Sequence, residues 1–319
     1  MQNRNNVDVV IYHGGCPDGI TGAWCFYHKF FERHETITFI GARHGELPPY
    51  EELHEKNVYI VDFSYKRPEI LQLAQIAKSL VILDHHKSAE NDLVDIEKES
   101  DNIQCVFDMK RSGAQIAWDH LFLRPNGRKP MFRPYFVDYV ADRDLWKWEL
   151  PNSKEISSAM NNLGYFTFEK LTDLYNGTLD IQHLIDIGKI LIDIQDQRVS
   201  KYVSYAKLAK MVVDDKVYMI KMVNCDYTIR SDVGSKILEE DSSIAFSVIY
   251  SYSFHDDSYC VSLRGNDQSP PLDVISAYFG GGGHPKAAGF AIYGQHSKSH
   301  KKNSNNTGDM YTVFKTIDT

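Results

Sequence analysis

Carboxylates and imidazoles recur in this chain where short apolar runs stop. VDVVIY (Val7 to Tyr12) leads into His13-Gly14-Gly15-Cys16-Pro17-Asp18-Gly19, a loop carrying an imidazole, a thiol and a carboxylate. YIVDFS ends an apolar run on Asp62, and VILDHH ends another on Asp84, His85 and His86. Asp138, Asp142 and Asp144 fall in YFVDYVADRDLWKW; if that segment is helical, Asp138 and Asp142 share a face. Each cluster also has a plain explanation. Asp18 and Asp62 can cap following helices, adjacent histidines occur on surfaces, and Arg143 and Lys147 can screen the aspartates. The combination is more specific than its parts. Mixed Asp/His ligation with no paired cysteines suits Mn²⁺, Fe²⁺ or Zn²⁺ better than a closed structural zinc site. Two such ions roughly 3.5–4 Å apart stabilise the attacking and leaving oxygens at phosphorus.

A second constellation lies near the C-terminus. Arg264 ends VSLRG, and Gly280-Gly281-Gly282-Gly283-His284 precedes KAAGFAI. Four consecutive glycines carry a large entropic cost. They read either as a helix stop with a flexible loop or as a cradle of backbone N–H groups for a phosphate or base, with His284 as a further donor. Arg264 offers a bidentate guanidinium to a phosphate; its plainer role is a surface residue at a strand end.

The elements that must position these residues alternate. Strand-like runs at Val7 to Tyr12, Ile37 to Ile40, Val58 to Phe63, Leu80 to Leu83 and Ile103 to Phe107 are interleaved with helix-like stretches at Ile20 to Phe31, Pro68 to Lys78 and Ala114 to Phe122. That is the pattern of βαβ units and a parallel sheet, which binds ligands at the carboxyl ends of its strands. The expected organisation is α/β: an N-terminal parallel-sheet domain over 1–150, a helical connector over 151–210 with one long helix or a helix pair from Leu179 to Lys210, and a smaller α/β domain over 211–294. The polar segment 295–319 is expected to be a loose tail.

The chain has 319 residues, 43% hydrophobic and 24% charged, with a net charge of −8. Such length suits two domains. An acidic surface argues against non-specific binding of long duplexes, since phosphate affinity is built from Lys and Arg. Five scattered cysteines without a CxxC pair fit reduced thiols and a cytoplasmic setting. No run of 18 apolar residues predicts a membrane span, and the first residues lack a signal-peptide core.

In order and spacing, YHGGCPDG, VDF, ILDHH, VADRDLW, SLRG and GGGGHPKAAGF resemble the DHH phosphoesterase family with a C-terminal DHHA1 domain, over roughly Val7 to Ile292. The branch it most resembles is that of the nanoRNases, or oligoribonucleases. The resemblance implies a two-metal site, usually manganese, in a cleft between the two domains. Asp62 would bridge the ions, and Asp18, His85 and Asp142 would complete one metal site. His86 would sit beside the scissile phosphate, with Asp84 orienting the histidines. Arg264, Gly282, Gly283 and His284 would hold the substrate's distal phosphate or base. Many family members carry another aspartate where this chain has Cys16. His13 remains as a ligand of that second site, and Cys16 either adds a thiolate, favouring a softer metal, or leaves the site weakened.

The function implied is hydrolysis of phosphodiester or phosphomonoester bonds in short oligonucleotides or small nucleotides, with no membrane partner. The alternatives are a single-strand-specific exonuclease and a nucleotide-binding sensor with a degraded metal site. Substrate, polarity and oligomeric state, a homodimer among the options, stay open.

Overall fold

The computed structural model describes residues 6–122, 132–178, 180–297, 305–306 and 313–316. The chain divides into two units, Met1–Ile192 and Asp193–Thr319.

The first unit is built on five strands, β1 (Val9–His13), β2 (Thr38–Ala42), β3 (Asn57–Val61), β4 (Ser79–Asp84) and β5 (Ile103–Phe107), all parallel in the order β2-β1-β3-β4-β5. Every residue of β3 is buried, as expected for a parallel sheet covered on both faces. Successive side chains alternate between two cores. Val10, Tyr59, Val61, Val81 and Leu83 face one; Val9, Ile11, Val58, Ile60, Leu80 and Ile82 face the other.

The first core is closed by α1 (Pro17–Lys29), α4 (Gly113–Phe122), α5 (Tyr135–Asp144), α6 (Ser153–Asn162), α7 (Phe168–Tyr175) and the start of α8 (Ile181–Ser204). The second is closed by α2 (Arg67–Ile76), and α3 (Lys87–Asp92) precedes β5. Trp24 of α1 is fully buried, lies parallel to Trp118 of α4 and donates from Nε1 to Thr172 Oγ1 at 3.0 Å. Ile156, Met160, Leu171 and Leu184 belong to the same core. Much of the segment expected as a connector is therefore packed body of the first unit, and the division between units falls within α8. That helix stops at Ser204, short of the expected Lys210, because Lys207–Val213 alternates buried and exposed residues and pairs as a strand.

The second unit carries a seven-stranded sheet of β6 (Lys207–Val213), β7 (Lys216–Asn224), β8 (Phe246–Ser253), β9 (Ser258–Arg264), β10 (Gly282–His284), β11 (Ala287–Tyr293) and β12 (Phe314–Thr316), in the order β10-β11-β9-β8-β7-β6-β12. Among the described strands of this sheet only β7 and β8 pair in parallel. Helix α10 (Leu272–Tyr278) packs on one face, and α9 (Arg230–Glu240) with the end of α8 on the other.

Part of the expected loose tail is seated. Phe314 is buried opposite Met211, and the Asn306 amide donates to the Phe279 carbonyl at 2.9 Å. The rest of that tail lies outside the described residues.

Candidate metal centre

The strand order reverses its direction of growth at β1 and β3, and the loops leaving their carboxyl ends open a crevice there. His13 closes β1, Asp62 follows β3 and Asp84 closes β4, so one sheet edge gathers three separated clusters. Asp62 has φ of +55°, a left-handed conformation that aspartate tolerates better than most residues. Its N–H still donates to the Leu83 carbonyl at 2.9 Å.

Asp18 is fully buried in the first turn of α1 and points at the start of α4, where Oδ2 accepts from Gly113 N at 2.6 Å and Oδ1 from Ala114 N at 3.2 Å. Gly113 permits this approach: a Cβ there would fall 2.5 Å from the Asp62 Cβ and 3.0 Å from Asp18 Oδ2. His85 Nε2 stands 3.1 Å from Asp62 Oδ1, 3.3 Å from Asp144 Oδ2 and 3.9 Å from Asp18 Oδ2. His13 Nδ1 lies 3.5 Å from Asp62 Oδ2, and Cys16 joins that pair in a compact donor group. Asp84 Oδ1 receives the backbone N–H of His85 and faces His86 Nδ1 at 2.7 Å, which orients the His86 ring.

Three donor groups stand here: Asp62 with Asp84, His85 and His86; Asp62 with His13 and Cys16; and Asp18 with His85 and Asp144. Asp62 is common to the first two, and His85, 3.1 Å from it, links them to the third. Asp142 belongs to none of them. Its carboxylate turns the other way, accepting from Glu149 N at 3.0 Å and Leu150 N at 3.3 Å. Asp142, expected to complete a metal site, is thus not among the donors gathered here; it ties down the following loop, and Asp144, two residues further along α5, stands at His85. His44, in the loop after β2, is a further residue the sequence reading missed; its ring is 5.1 Å from that of His13 and 6.3 Å from that of His86. Its position after an apolar strand, like those of the other clusters, was the available signal.

Charge in this site is unbalanced. Burial, then the charges of Asp62 and Asp144, push the Asp18 carboxyl well above its ordinary range, and burial followed by Asp62 raises Asp144. Burial also works to raise Asp62, but hydrogen bonds from His13 and His85 overcome it and hold that carboxyl well below the usual range. Burial opposes protonation of His85, yet its bond to Asp62 and the nearby carboxylates lift it to about 9. The Asp84 contact raises His86. Burial and the Asp62 charge bring the Cys16 thiol to about 12.

Among the described residues no Lys or Arg pairs with Asp18, Asp62, Asp84 or Asp144, and the buried Oδ2 of Asp62 has only His13 Nδ1, at 3.5 Å, beside it. Several carboxylates gathered in one place and balanced only by histidines are costly. A divalent ion relieves that cost, so this donor set fits one or two such ions.

In the second unit, Arg264, Ala287 and His284 lie in one register row across β9, β11 and β10. The glycine run is not a flexible loop. Gly282–His284 is an edge strand, Gly283 has φ of +142°, and a Cβ on Gly281 would lie 2.2 Å from the Gly289 carbonyl oxygen. Tight packing accounts for much of the run, while Gly282, Gly283 and His284 remain exposed.

No protein-family model matches the chain. It is 28% identical over 307 residues to protein R106 of Acanthamoeba polyphaga mimivirus, covering 92% of this chain and 69% of that protein. It is 25% identical over 217 residues to oligoribonuclease NrnB of Bacillus subtilis, covering 66% of this chain and 52% of NrnB, so the match spans about half of that relative. Among solved structures, the DHH domain of a protein assigned to a family of ribosomal proteins superposes with a TM-score of 0.52 at 14% identity, over 90% of this chain and 83% of the other. The resemblance drawn from the motifs is thereby supported: the chain has the fold of DHH proteins, and its curated relatives include an oligoribonuclease. No helix among the described residues is long and apolar enough to cross a membrane.

Proposed function

We propose that the chain is a divalent-metal-dependent phosphoesterase acting on short oligonucleotides or small nucleotides, with manganese as its metal. The observation that carries this reading is Asp62: a buried carboxylate shared by two of the donor groups, contacted by His13 and His85 and without a Lys or Arg counter-ion among the described residues. Similarity to NrnB favours a nucleotide substrate.

In this reading Asp18, Asp62, His85 and Asp144 hold one ion, and His13, Cys16 and Asp62 hold the other. When bound, such ions make water acidic enough to attack near neutrality and stabilise charge on the phosphoryl oxygens. The protein's own residues do the rest. The N–H groups of Gly113 and Ala114 fix the Asp18 carboxylate. Asp84 fixes the His86 ring by its Nδ1 side, leaving Nε2 to face a phosphate oxygen or the leaving group. In the second unit, Arg264 and the exposed end of β10 offer donors to an anionic group of a substrate.

Manganese titration of purified protein against bis(p-nitrophenyl) phosphate and a set of dinucleotides tests the proposal. Metal-dependent release of nitrophenol and mononucleotides, abolished by Asp62→Ala in a folded protein, is the expected result. Nucleotide binding without turnover at any manganese concentration would replace the hydrolase with a sensor. Near-normal turnover by Asp62→Ala would remove that residue from the centre.

A further inference from the structure

Of the four tryptophans, Trp24 and Trp118 are fully buried and Trp148 is half-buried, while Trp146 is 75% exposed. An indole held in water forgoes one of the largest apolar burials open to a side chain. Trp146 also has φ of +55°, as does Trp148. That left-handed conformation is a genuine outlier for a bulky side chain and persists only where the surroundings impose it. Here Asp142 imposes it. The Asp142 carbonyl accepts from Lys147 N at 2.8 Å and Trp148 N at 3.4 Å, and its carboxylate from Glu149 N and Leu150 N. Four successive N–H groups thus converge on one residue, and Trp146 N closes the turn onto the Arg143 carbonyl at 3.0 Å. The Trp148 ring stands at 76° to that of Trp146, with centroids 5.1 Å apart, and braces it while most of the Trp146 surface stays open.

This loop lies at the sheet edge where the donor groups gather. Trp146 follows Asp144 by two residues, so their Cα atoms are no more than about 7 Å apart, and Asp144 Oδ2 meets His85 Nε2 at 3.3 Å. From the other side, Lys147 Nζ donates to the Lys110 carbonyl at 3.3 Å, in the loop that leaves the carboxyl end of β5 and runs to Gly113. The exposed neighbours of Trp146 in its own loop, Lys147 and Glu149, are charged. A single aromatic surface among charges is unlike the extended patch that a stable protein contact needs. It matches a nucleobase, which offers a π-face of similar shape and, in a nucleotide, arrives joined to a phosphate.

We infer that Trp146 is a stacking platform for a base of the substrate, on the nucleoside joined to the phosphate at the metal centre, so that the chain selects nucleotides over phosphate esters without a base. That the ligand is a substrate rests on the phosphoesterase reading; the stacking site does not. Every base has a π-face, so the platform is indifferent to sequence and suits a chain that handles short fragments of any composition.

The test measures equilibrium binding in EDTA, so that no turnover occurs, for a deoxydinucleotide and for its abasic counterpart, in which tetrahydrofuran residues replace both nucleosides. Stacking of one base on one aromatic ring corresponds to roughly five- to 150-fold in affinity. Wild-type protein should therefore bind the dinucleotide at least about five-fold more tightly than the abasic ligand. Trp146→Asn should erase that preference and leave abasic binding as before. It should do so without loss of thermal stability, because asparagine tolerates the left-handed backbone. Trp146→Phe, which keeps a smaller ring, should retain part of the preference. Equal affinities of wild type for the two ligands, no binding of the dinucleotide, or equal weakening of both by Trp146→Asn would overturn the platform. A preference lost as completely in Trp146→Phe as in Trp146→Asn would do the same. A fall in Tm of more than about 4 °C in Trp146→Asn would make Trp146 a packing residue instead. Sedimentation showing a wild-type dimer that Trp146→Asn dissociates would give the surface to a second copy of the chain. Because no metal is present, a protein that prefers the dinucleotide but never hydrolyses it keeps the platform and loses only the phosphoesterase reading.

Discussion

Asp142 and Asp144 lie two residues apart in ADRD but meet different partners, so paired alanine substitutions test the proposed metal centre directly. Asp142 is buried and its carboxylate accepts two backbone N–H groups of the 149–150 loop. Their loss should cost about 2 kcal/mol, since water can partly replace the carboxylate at this edge. For a unit of the size of Met1–Ile192 that is a fall in Tm of roughly 4–8 °C, whether metal is present or not. Asp144 meets only His85 among described ion-pair partners and sits among like charges, so its removal should change the metal-free stability by no more than about 1 kcal/mol, roughly 2–4 °C in Tm.

The manganese response should behave in the opposite way. At free manganese one hundred times Kd, binding adds about 2.7 kcal/mol, or roughly 5–11 °C. Loss of a direct ligand should weaken binding at least as much as loss of an outer partner, at most about 100-fold for the latter. A 100-fold weaker Kd leaves about 0.4 kcal/mol, a shift of ~1–2 °C. Differential scanning fluorimetry with and without manganese reads both quantities. If Asp142→Ala lost the manganese shift and Asp144→Ala kept it, the placement of Asp144 in the centre would be wrong.

Two other substitutions probe the surroundings. Gly113→Ala puts a methyl 2.5 Å from the Asp62 Cβ, which should displace Asp62 or Asp18 at a cost of about 1–3 kcal/mol. Isothermal titration should show manganese affinity falling at least several-fold, and unchanged affinity would mean that α4 does not set the ligand positions. Phe314→Ala empties a buried site opposite Met211 and should destabilise the second unit by about 3–5 kcal/mol in denaturant unfolding; a loss below about 1 kcal/mol would show that β12 is not a constitutive strand.

Much of the first unit was legible in the sequence because buried parallel strands are short, uninterrupted apolar runs. Val58, Ile60, Leu80 and Ile82 announce their strands without knowledge of their neighbours. The same runs located His13, Asp62, Asp84, His85 and His86, since a polar residue at the end of such a strand must leave the sheet at its carboxyl edge. Other features depend on surfaces that the local pattern does not encode. The order β2-β1-β3-β4-β5 brings His13 beside Asp62, and nothing within either stretch specifies that adjacency. Whether a glycine run is a loop or an edge strand depends on β11 lying next to it.

The types of side chain that could serve as ligands were legible from the chain alone, because only certain side chains can hold a hard cation. Which aspartate of ADRD turns toward His85 was decided by tertiary structure alone. A two-residue step along a helix rotates a side chain by about 200°, so the choice depends on how α5 is seated against α4 and α6. That seating is a property of the packed core.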